Sequence, residues 1–575
     1  MKRIIVAIIT LITLQSCEHF LEVPPQGAAN EENLRNADGA EKLVYAAYAA
    51  LGNDHWFEPY TSLWPYGNIR AGDAYKGGLG VADIIDYHNY ETFSAIRTDI
   101  EGGNRIWNRL YIAIQRTNSA LKVIGELSPE EYPQKQQRTA ELRFLRGHFY
   151  FILKILFKKI PYLTEGLDAE QINETSNEKY TNDELWEVIA QDFQFAVDNL
   201  SDDRAEIGRP NNTVAKAYLA KVRLYQAYQQ DEQHNVVSIS SQLLDQVVSL
   251  TSDVINSGDF QLFDDVGKNF LWDYDNGIES IFSVQRSKDD GSPIGRIDMS
   301  TALTFPMYPG YGCCSFHRPS QNLINAFQTT SAGIPNFEDF NSNDLIDPQD
   351  FFDNGIDPRL NHTAGIPGHP YKYQTDLIYT VEEFTREPST YGPYSSMKDV
   401  QQLSCPCLTT AQTFAYPATS KNNTVIRLSD VILWKAEALI ELNRQDDALP
   451  LINQIRERAK NSTGMLKTAS GEPVANYRIE PYRNGINIDW TQENARLALR
   501  WERRLELALE GSRFFDLVRW GIADVELNLY FEKEKFRVPY MSDAMFQKNR
   551  DEYLPIPEQQ VQYSNGVYKQ NYGWN

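Results

Sequence analysis

Two stretches of the chain set aromatic rings beside polar side chains and chain-breaking glycines and prolines. In WFEPYTSLWPYGNIRAGDAYKGG these are Trp56, Trp64, Tyr66, Arg70, Asp73 and Tyr75, with Phe93 following. In FPMYPGYGCCSFHRP they are Tyr308, Tyr311 and Phe316. A ring offers a flat apolar face, and Asp, Asn, Arg or Gln exchange hydrogen bonds with hydroxyls. Together they would hold a polyhydroxylated ligand without changing it covalently. Such groups belong on loops raised by a rigid support. The same rings would serve equally well as the core of a subdomain, and Trp56 leans to that reading.

The cysteines lie in the same regions. Cys313-Cys314 and Cys405-Pro-Cys407 form two pairs, and adjacent cysteines bridge each other poorly, so cross-links between the two loops are expected. A four-cysteine zinc site and four free thiols are the alternatives. Asp339, Asn341 and Asn343, with Asp347 and Asp350, loosely follow a calcium-loop spacing. Asp344 replaces the expected glycine there, and a solvated acidic turn is the competing account. No other cofactor is expected. The chain carries no Gly-x-Ser-x-Gly, His-Glu-x-x-His or phosphate-binding loop, and its 8 histidines are scattered. A carboxylate pair for glycoside hydrolysis stays open, because its separation is a property of the fold.

The elements that must position these residues are mostly helical. Apolar residues recur at three- and four-residue spacing in Ile106 to Ile124, Gln136 to Phe157, Val214 to Tyr228, Ser240 to Ser257, Leu428 to Leu442 and Asp446 to Lys460. Thr181-Asn-Asp-Glu184 reads as a helix start running to Leu200, and Ala40 to Leu51 and Gln492 to Trp520 complete the set. Between 258 and 425, Gly, Pro, Asn and Asp punctuate short apolar runs, and Gln321 to Phe327 is the clearest helix. Ile432, Ala436, Leu439, Ala448 and Ile452 sit at tetratricopeptide-like spacings, with an ordinary helical hairpin as the alternative. Stacked pairs of this type more often bind than catalyse.

Composition narrows the class. The 575 residues hold 55 Lys and Arg against 78 Asp and Glu, a formal net charge of −23. Such a surface repels a phosphate backbone, no basic patch offsets it, and no nucleic-acid partner is expected. With 42% hydrophobic and 23% charged residues the chain is neither disordered nor fibrous. No uncharged apolar run reaches about 18 residues, which excludes a polytopic membrane protein. Residues 1–17, MKRIIVAIITLITLQSC, have a basic start and a short apolar stretch that ends at Cys17. This is an export signal, and it looks like a lipobox whose cysteine is lipidated.

Several segments resemble, in order, the SusD/RagB-like family of outer-membrane nutrient-binding lipoproteins. These are RIWNRLYIAIQRTNSAL (105–121), ELRFLRGHFYFILKILFKKIPYL (141–163), PSQNLINAF (319–327), DPRL (357–360), VIRLSDVILWKAEALIELN (425–443), WERRLELALEGSRFFDLVRWG (501–521) and YLPIPEQQVQYSNGVYKQNYGW (553–574). The 501–521 segment also reads as structure. Its stripe of Leu505 and Leu509 is flanked by opposite charges at helical spacing: Arg503 with Glu506, Glu510 with Arg513, and Asp516 with Arg519.

The resemblance implies a mostly α fold, a tetratricopeptide-like scaffold of helical pairs with a loop-rich, irregular subdomain inserted mid-chain. The expected organisation is a signal peptide at 1–17 with lipidated Cys17, a tether at 18–39, scaffold at 40–257, ligand-binding insert at 258–425, and scaffold again at 426–575. It implies a non-catalytic lipoprotein of the outer membrane, facing the exterior. That protein would bind oligo- or polysaccharides and deliver them to a TonB-dependent, SusC-like transporter. Trp64, Tyr66, Arg70, Asp73, Tyr75, Phe93, Tyr308, Tyr311 and Phe316 would form the ligand site, with Asp73 and Phe93 at the family's N-terminal polar and aromatic contact positions. The alternatives are RagB-like peptide capture and an exported glycoside hydrolase.

Overall fold

The computed structural model describes residues 34–203, 206–292, 295–409 and 416–574. Cys17, the signal segment and most of the expected tether lie outside these residues. Eleven helices carry the argument: α1 Ala37–Leu51, α2 Glu101–Glu126, α3 Lys135–Phe157, α4 Asn182–Asn199, α5 Asn212–Ala227, α6 Ser241–Asn256, α7 Leu428–Glu441, α8 Gln445–Asn461, α9 Gln492–Glu506, α10 Arg513–Arg519 and α11 Ala523–Glu534. The strands are short and pair two by two: β1 Ala74–Gly77 with β3 Phe316–Pro319, β2 Ser280–Val284 with β6 Asn423–Arg427, and β4 Leu408–Thr409 with β5 Ala418–Thr419, all antiparallel.

The helices form where the apolar spacing places them, and local chemistry sets their ends. Thr181 accepts from the Glu184 backbone N–H while the Glu184 carboxylate accepts from the Thr181 N–H, a capping box that starts α4. Asn36, Asn211 and Ser240 cap α1, α5 and α6, each side chain accepting from the backbone N–H three residues on. Each helix from α1 to α6 packs on the next. α6 then packs directly on α7, on the far side of the insert in sequence, and α7 contacts α8 and α9. The scaffold is therefore continuous in space although the chain leaves it for more than 160 residues, and pairing of β2 with β6 closes the base of the excursion. The helical scaffold and the insert between its halves are as expected.

The 492–520 segment is two helices instead of one. Leu509 and Gly511 take positive φ, and the chain turns between α9 and α10. A Cβ on Gly511 would stand 2.4 Å from the Ser62 carbonyl oxygen, and one on Gly67 would stand 1.9 Å from that of Gly511, so two backbones meet here with no room for a side chain.

The charged residues of this segment also pair differently from the local reading. Asp516 and Arg519 do meet, at 2.9 Å. Arg503, however, pairs with Asp516 at 2.7 Å, and Arg513 reaches Glu526. Glu506 faces Arg427, Arg458 and Arg359, while Glu510 meets Arg427 and Lys398. Glu279, Asp357 and Glu502 complete a buried network that joins the insert to α8 and α9. Three guanidinium groups around Glu506 hold its carboxyl far below the usual carboxylate range despite its burial. These are buried ion pairs, whose loss costs far more than that of a surface pair.

Candidate functional site

The structure brings the two aromatic stretches together, because β1 of the first pairs with β3 of the second. It seals them inside. Trp64 is 1% exposed, donates from Nε1 to the Ser300 carbonyl at 2.9 Å, and lies against Tyr87 and Phe316. Tyr66 packs on Tyr90. Arg70 stacks on Phe514 at 3.9 Å, and burial pulls its guanidinium down to about 10. Asp73 is held by Arg504 at 2.7 Å, and the Tyr75 hydroxyl donates to Glu534. Phe93 sits among Phe514, Phe531 and Phe546, all within 6.1 Å. Tyr311 is buried with its hydroxyl on the Gln401 carbonyl, and Phe316 is buried in β3. Only Tyr308 keeps partial exposure, stacked on Phe384 at 4.5 Å. Trp64, Tyr66, Arg70, Asp73, Tyr75, Phe93, Tyr311 and Phe316 are thus core residues. The correction has one cause: each finds a partner outside its own stretch of sequence, which local composition cannot reveal.

The cysteines also differ from expectation. Cys313 bonds Cys314 and Cys405 bonds Cys407, each loop closing on itself. Nor do the acidic residues near 340–350 converge. Asn341 and Asp344 are occupied by Arg537, and Asp350 caps the Ile346 and Asp347 N–H groups. Asp339, Asn343 and Asp347 stand exposed, and among the described residues no group of three or more His, Cys, Asp or Glu could hold a metal.

What the surface offers instead is a polar cleft of about 120 Å³ where the insert meets the scaffold. Asp298, Lys398, Asp399, Lys421, Asn422 and Asn423 line it, with Phe270 on one wall. Its lysines are paired, Lys421 with Asp275 at 3.1 Å and Lys398 with Glu510 at 2.7 Å, and Asp399 accepts from the His317 ring at 2.8 Å. Asp298 accepts from Arg286, Thr301 and Asn423. Burial raises the Asp275 carboxyl, and Lys421 and the Asn422 N–H oppose that rise. Charges neutralised in this way leave amides, hydroxyls and spare lone pairs to face a ligand.

Exposed rings follow the cleft wall in the chain. Trp272 and Tyr274, 37% and 38% exposed, follow Phe270 in a short 3₁₀ turn. The turn is fixed where Gln401 accepts from the Trp272 N–H at 2.9 Å and where Asp275 accepts from the Asn422 N–H. A second group comprises half-exposed Trp56, Phe57 and Tyr416, with Trp56 3.7 Å from Phe57 and 5.4 Å from Tyr416. Arg105 lies 4.9 Å from the Phe57 ring. The β5 strand connects the two features, since Tyr416 lies just before Thr419, which lines the cleft. Trp56 is thus the one tryptophan of the first stretch that keeps a surface, against its sequence reading. The signal for Trp272 and Tyr274 is LWDYDNG, rings alternating with aspartates before a glycine.

Against known proteins, the model of the SusD family matches residues 278–574. The chain belongs to the SusD family. A second family model, described as starch-binding associating with outer membrane, matches residues 85–224. A SusD-like protein of Bacteroides ovatus is 23% identical over 93% of this chain and 85% of its own length. One from Formosa agariphila is 25% identical over 89% and 90%. Among solved structures, a laminarin-binding SusD-like protein has a TM-score of 0.65 at 23% identity, covering 94% of this chain and 99% of that one. Surface glycan-binding protein A from Bacteroides thetaiotaomicron has a TM-score of 0.63 at 19% identity, covering 94% and 99%. At these identities the structural likeness establishes the SusD-like fold. Among the described residues no helix is long and apolar enough to cross a membrane.

Proposed function

We propose that this SusD-family protein captures oligosaccharides non-covalently in the cleft at the insert–scaffold boundary and hands them to a TonB-dependent, SusC-like transporter in the outer membrane. The observation that carries the reading is a polar cleft whose Phe270 wall is followed in the chain by exposed Trp272 and Tyr274. Rings stack on the apolar faces of sugars, and amides and hydroxyls exchange hydrogen bonds with their hydroxyls. The family models and the glycan-binding names of two structural neighbours support it. Cys17 is the proposed lipid anchor, holding the protein on the outer membrane facing outward, and no catalytic step is assigned.

The test is a titration of the purified protein with a panel of neutral and acidic oligosaccharides, followed by heat and by release of reducing ends. Saturable binding without new reducing ends is expected. New reducing ends would move the reading to a hydrolase, and silence with every glycan but binding of peptides would move it to peptide capture.

A further inference from the structure

The cleft holds one carboxylate that the protein leaves without a cation. The positive groups of the lining are all matched: Lys398 by Glu510, Lys421 by Asp275, and Arg427 by Glu279, Glu506 and Glu510. Asp298, the buried acid of the lining, has Arg286. Asp399 differs. Among the described residues no lysine or arginine lies within ion-pair distance of it, and its partner is the His317 ring, Nδ1 to Oδ2 at 2.8 Å. Lys372, a buried cation whose field Asp399 shares, donates instead to the Phe270 and Met397 carbonyls.

The hydrogen bonds around His317 fix the charge of its ring. The Gly511 N–H donates to Asn68 Oδ1 at 3.0 Å, so the amide nitrogen of Asn68 is the group that meets His317 Nε2, at 2.9 Å. An amide nitrogen only donates, so Nε2 carries no proton, and the single N–H of the ring, on Nδ1, points at Asp399. The uncharged ring orients the carboxylate without neutralising it. Both members of this relay are held firmly. His317 is sealed in β3 with its ring centre 5.3 Å from that of Trp64, and Asn68 is buried against the turn between α9 and α10. The second oxygen of Asp399, Oδ1, accepts from none of the described residues and is open to the cleft. A hydroxyl gives its stronger hydrogen bonds to an ionised acceptor, and an acceptor already fixed in place needs no ordering when the ligand arrives. An anionic ligand would meet a like charge that nothing offsets.

We propose that Asp399 is the residue by which the cleft selects its ligand: Oδ1 accepts from a sugar hydroxyl, and the carboxylate turns away units that carry an acidic group. The proposal rests on the glycan-capture reading and narrows its ligand to neutral glycans, with His317 and Asn68 as positioning residues.

The test is calorimetric titration with tetrasaccharides in pairs that differ only by oxidation of C6 to a carboxylate: glucose with glucuronate, mannose with mannuronate, galactose with galacturonate. Wild type is expected to bind at least one neutral member, and to bind its uronate partner at least about tenfold more weakly. Asp399→Asn keeps the bond to His317 through its amide oxygen and turns an N–H₂ donor into the cleft in place of Oδ1. The melting temperature should stay within about 1 °C of wild type. Affinity for the neutral member should fall by at least about tenfold, and the preference over the uronate should be lost. A uronate that binds wild type as tightly as its neutral partner would overturn the proposal, and this comparison stands without the variant. So would a folded variant with unchanged affinity or unchanged preference. If uronates bind wild type and neutral members do not, only this inference fails. If no glycan of either class binds, the capture reading fails with it.

Discussion

Substituting Glu506 with Gln tests the buried ionic joint between insert and scaffold. Its carboxylate faces Arg427, Arg458 and Arg359, and all four side chains are buried. Glu506→Gln keeps the shape but removes the charge, leaving the arginines with Glu279, Glu502, Glu510 and Asp357. Breaking a buried pair by removing one partner costs about 3–5 kcal/mol. At roughly 2.1 cal/mol/K per residue, cooperative unfolding of the whole chain carries about 1.2 kcal/mol/K, so the melting temperature should fall by about 3–4 °C at pH 7. The pH dependence has a definite sign. Glu506 is held below its ordinary 4.5 in the folded state, so its contribution is complete above that pH and fades as acid protonates the unfolded chain's carboxyl less favourably countered in the fold. The gap between wild type and variant should therefore be constant from neutral pH down to about 4.5 and narrow below it. Scanning calorimetry across pH measures both. Equal melting temperatures at pH 7, or a gap that widens in acid, would refute the reasoning.

Three further outcomes follow from the packing. Phe93→Ala, in the cluster with Phe514, Phe531 and Phe546, should cost about 3–5 kcal/mol in urea unfolding. Folded Phe93→Ala protein should bind glycan as wild type does; selective loss of binding at unchanged stability would return Phe93 to the site. Gly511→Ala adds a Cβ 2.4 Å from the Ser62 carbonyl at a φ of 81°, and should lower the unfolding free energy by at least about 2 kcal/mol. Trp56→Ala, which removes a half-exposed ring packed on Phe57 and Tyr416, should weaken glycan binding severalfold and shift the melting temperature by less than about 1 °C.

Much of the scaffold was legible in the sequence, because helices announce themselves through short-range periodicity. The Thr181–Glu184 capping box and the stripes of α2, α3 and α7 are readable within a few turns. The break at Gly511 was only half legible: the glycine is visible, but its contact with Ser62 and Gly67 joins distant segments. The ligand residues failed for the same reason. Tyr and Trp beside Gly and Pro fit a binding loop and a tightly packed core equally well. The distinction rests on partners such as Ser300 for Trp64, Glu534 for Tyr75 and Arg504 for Asp73. Arg503, Glu506, Glu510 and Arg513 repeat the lesson, since helical spacing suggested local pairs where the fold supplies remote ones. Trp272 and Tyr274 are exposed because their aspartate- and glycine-rich segment forms a 3₁₀ turn that follows the cleft wall in the chain, anchored by Gln401 and Asp275.

The central claim is that the cleft whose wall is followed in the chain by Trp272 and Tyr274 takes the glycan. Calorimetric titration of wild type and a Trp272→Ala, Tyr274→Ala double variant, with an oligosaccharide that binds the wild type, tests it most directly. A loss of affinity of at least about tenfold, about 1.4 kcal/mol, at an unchanged melting temperature is expected. Unchanged affinity in the folded double variant would contradict it.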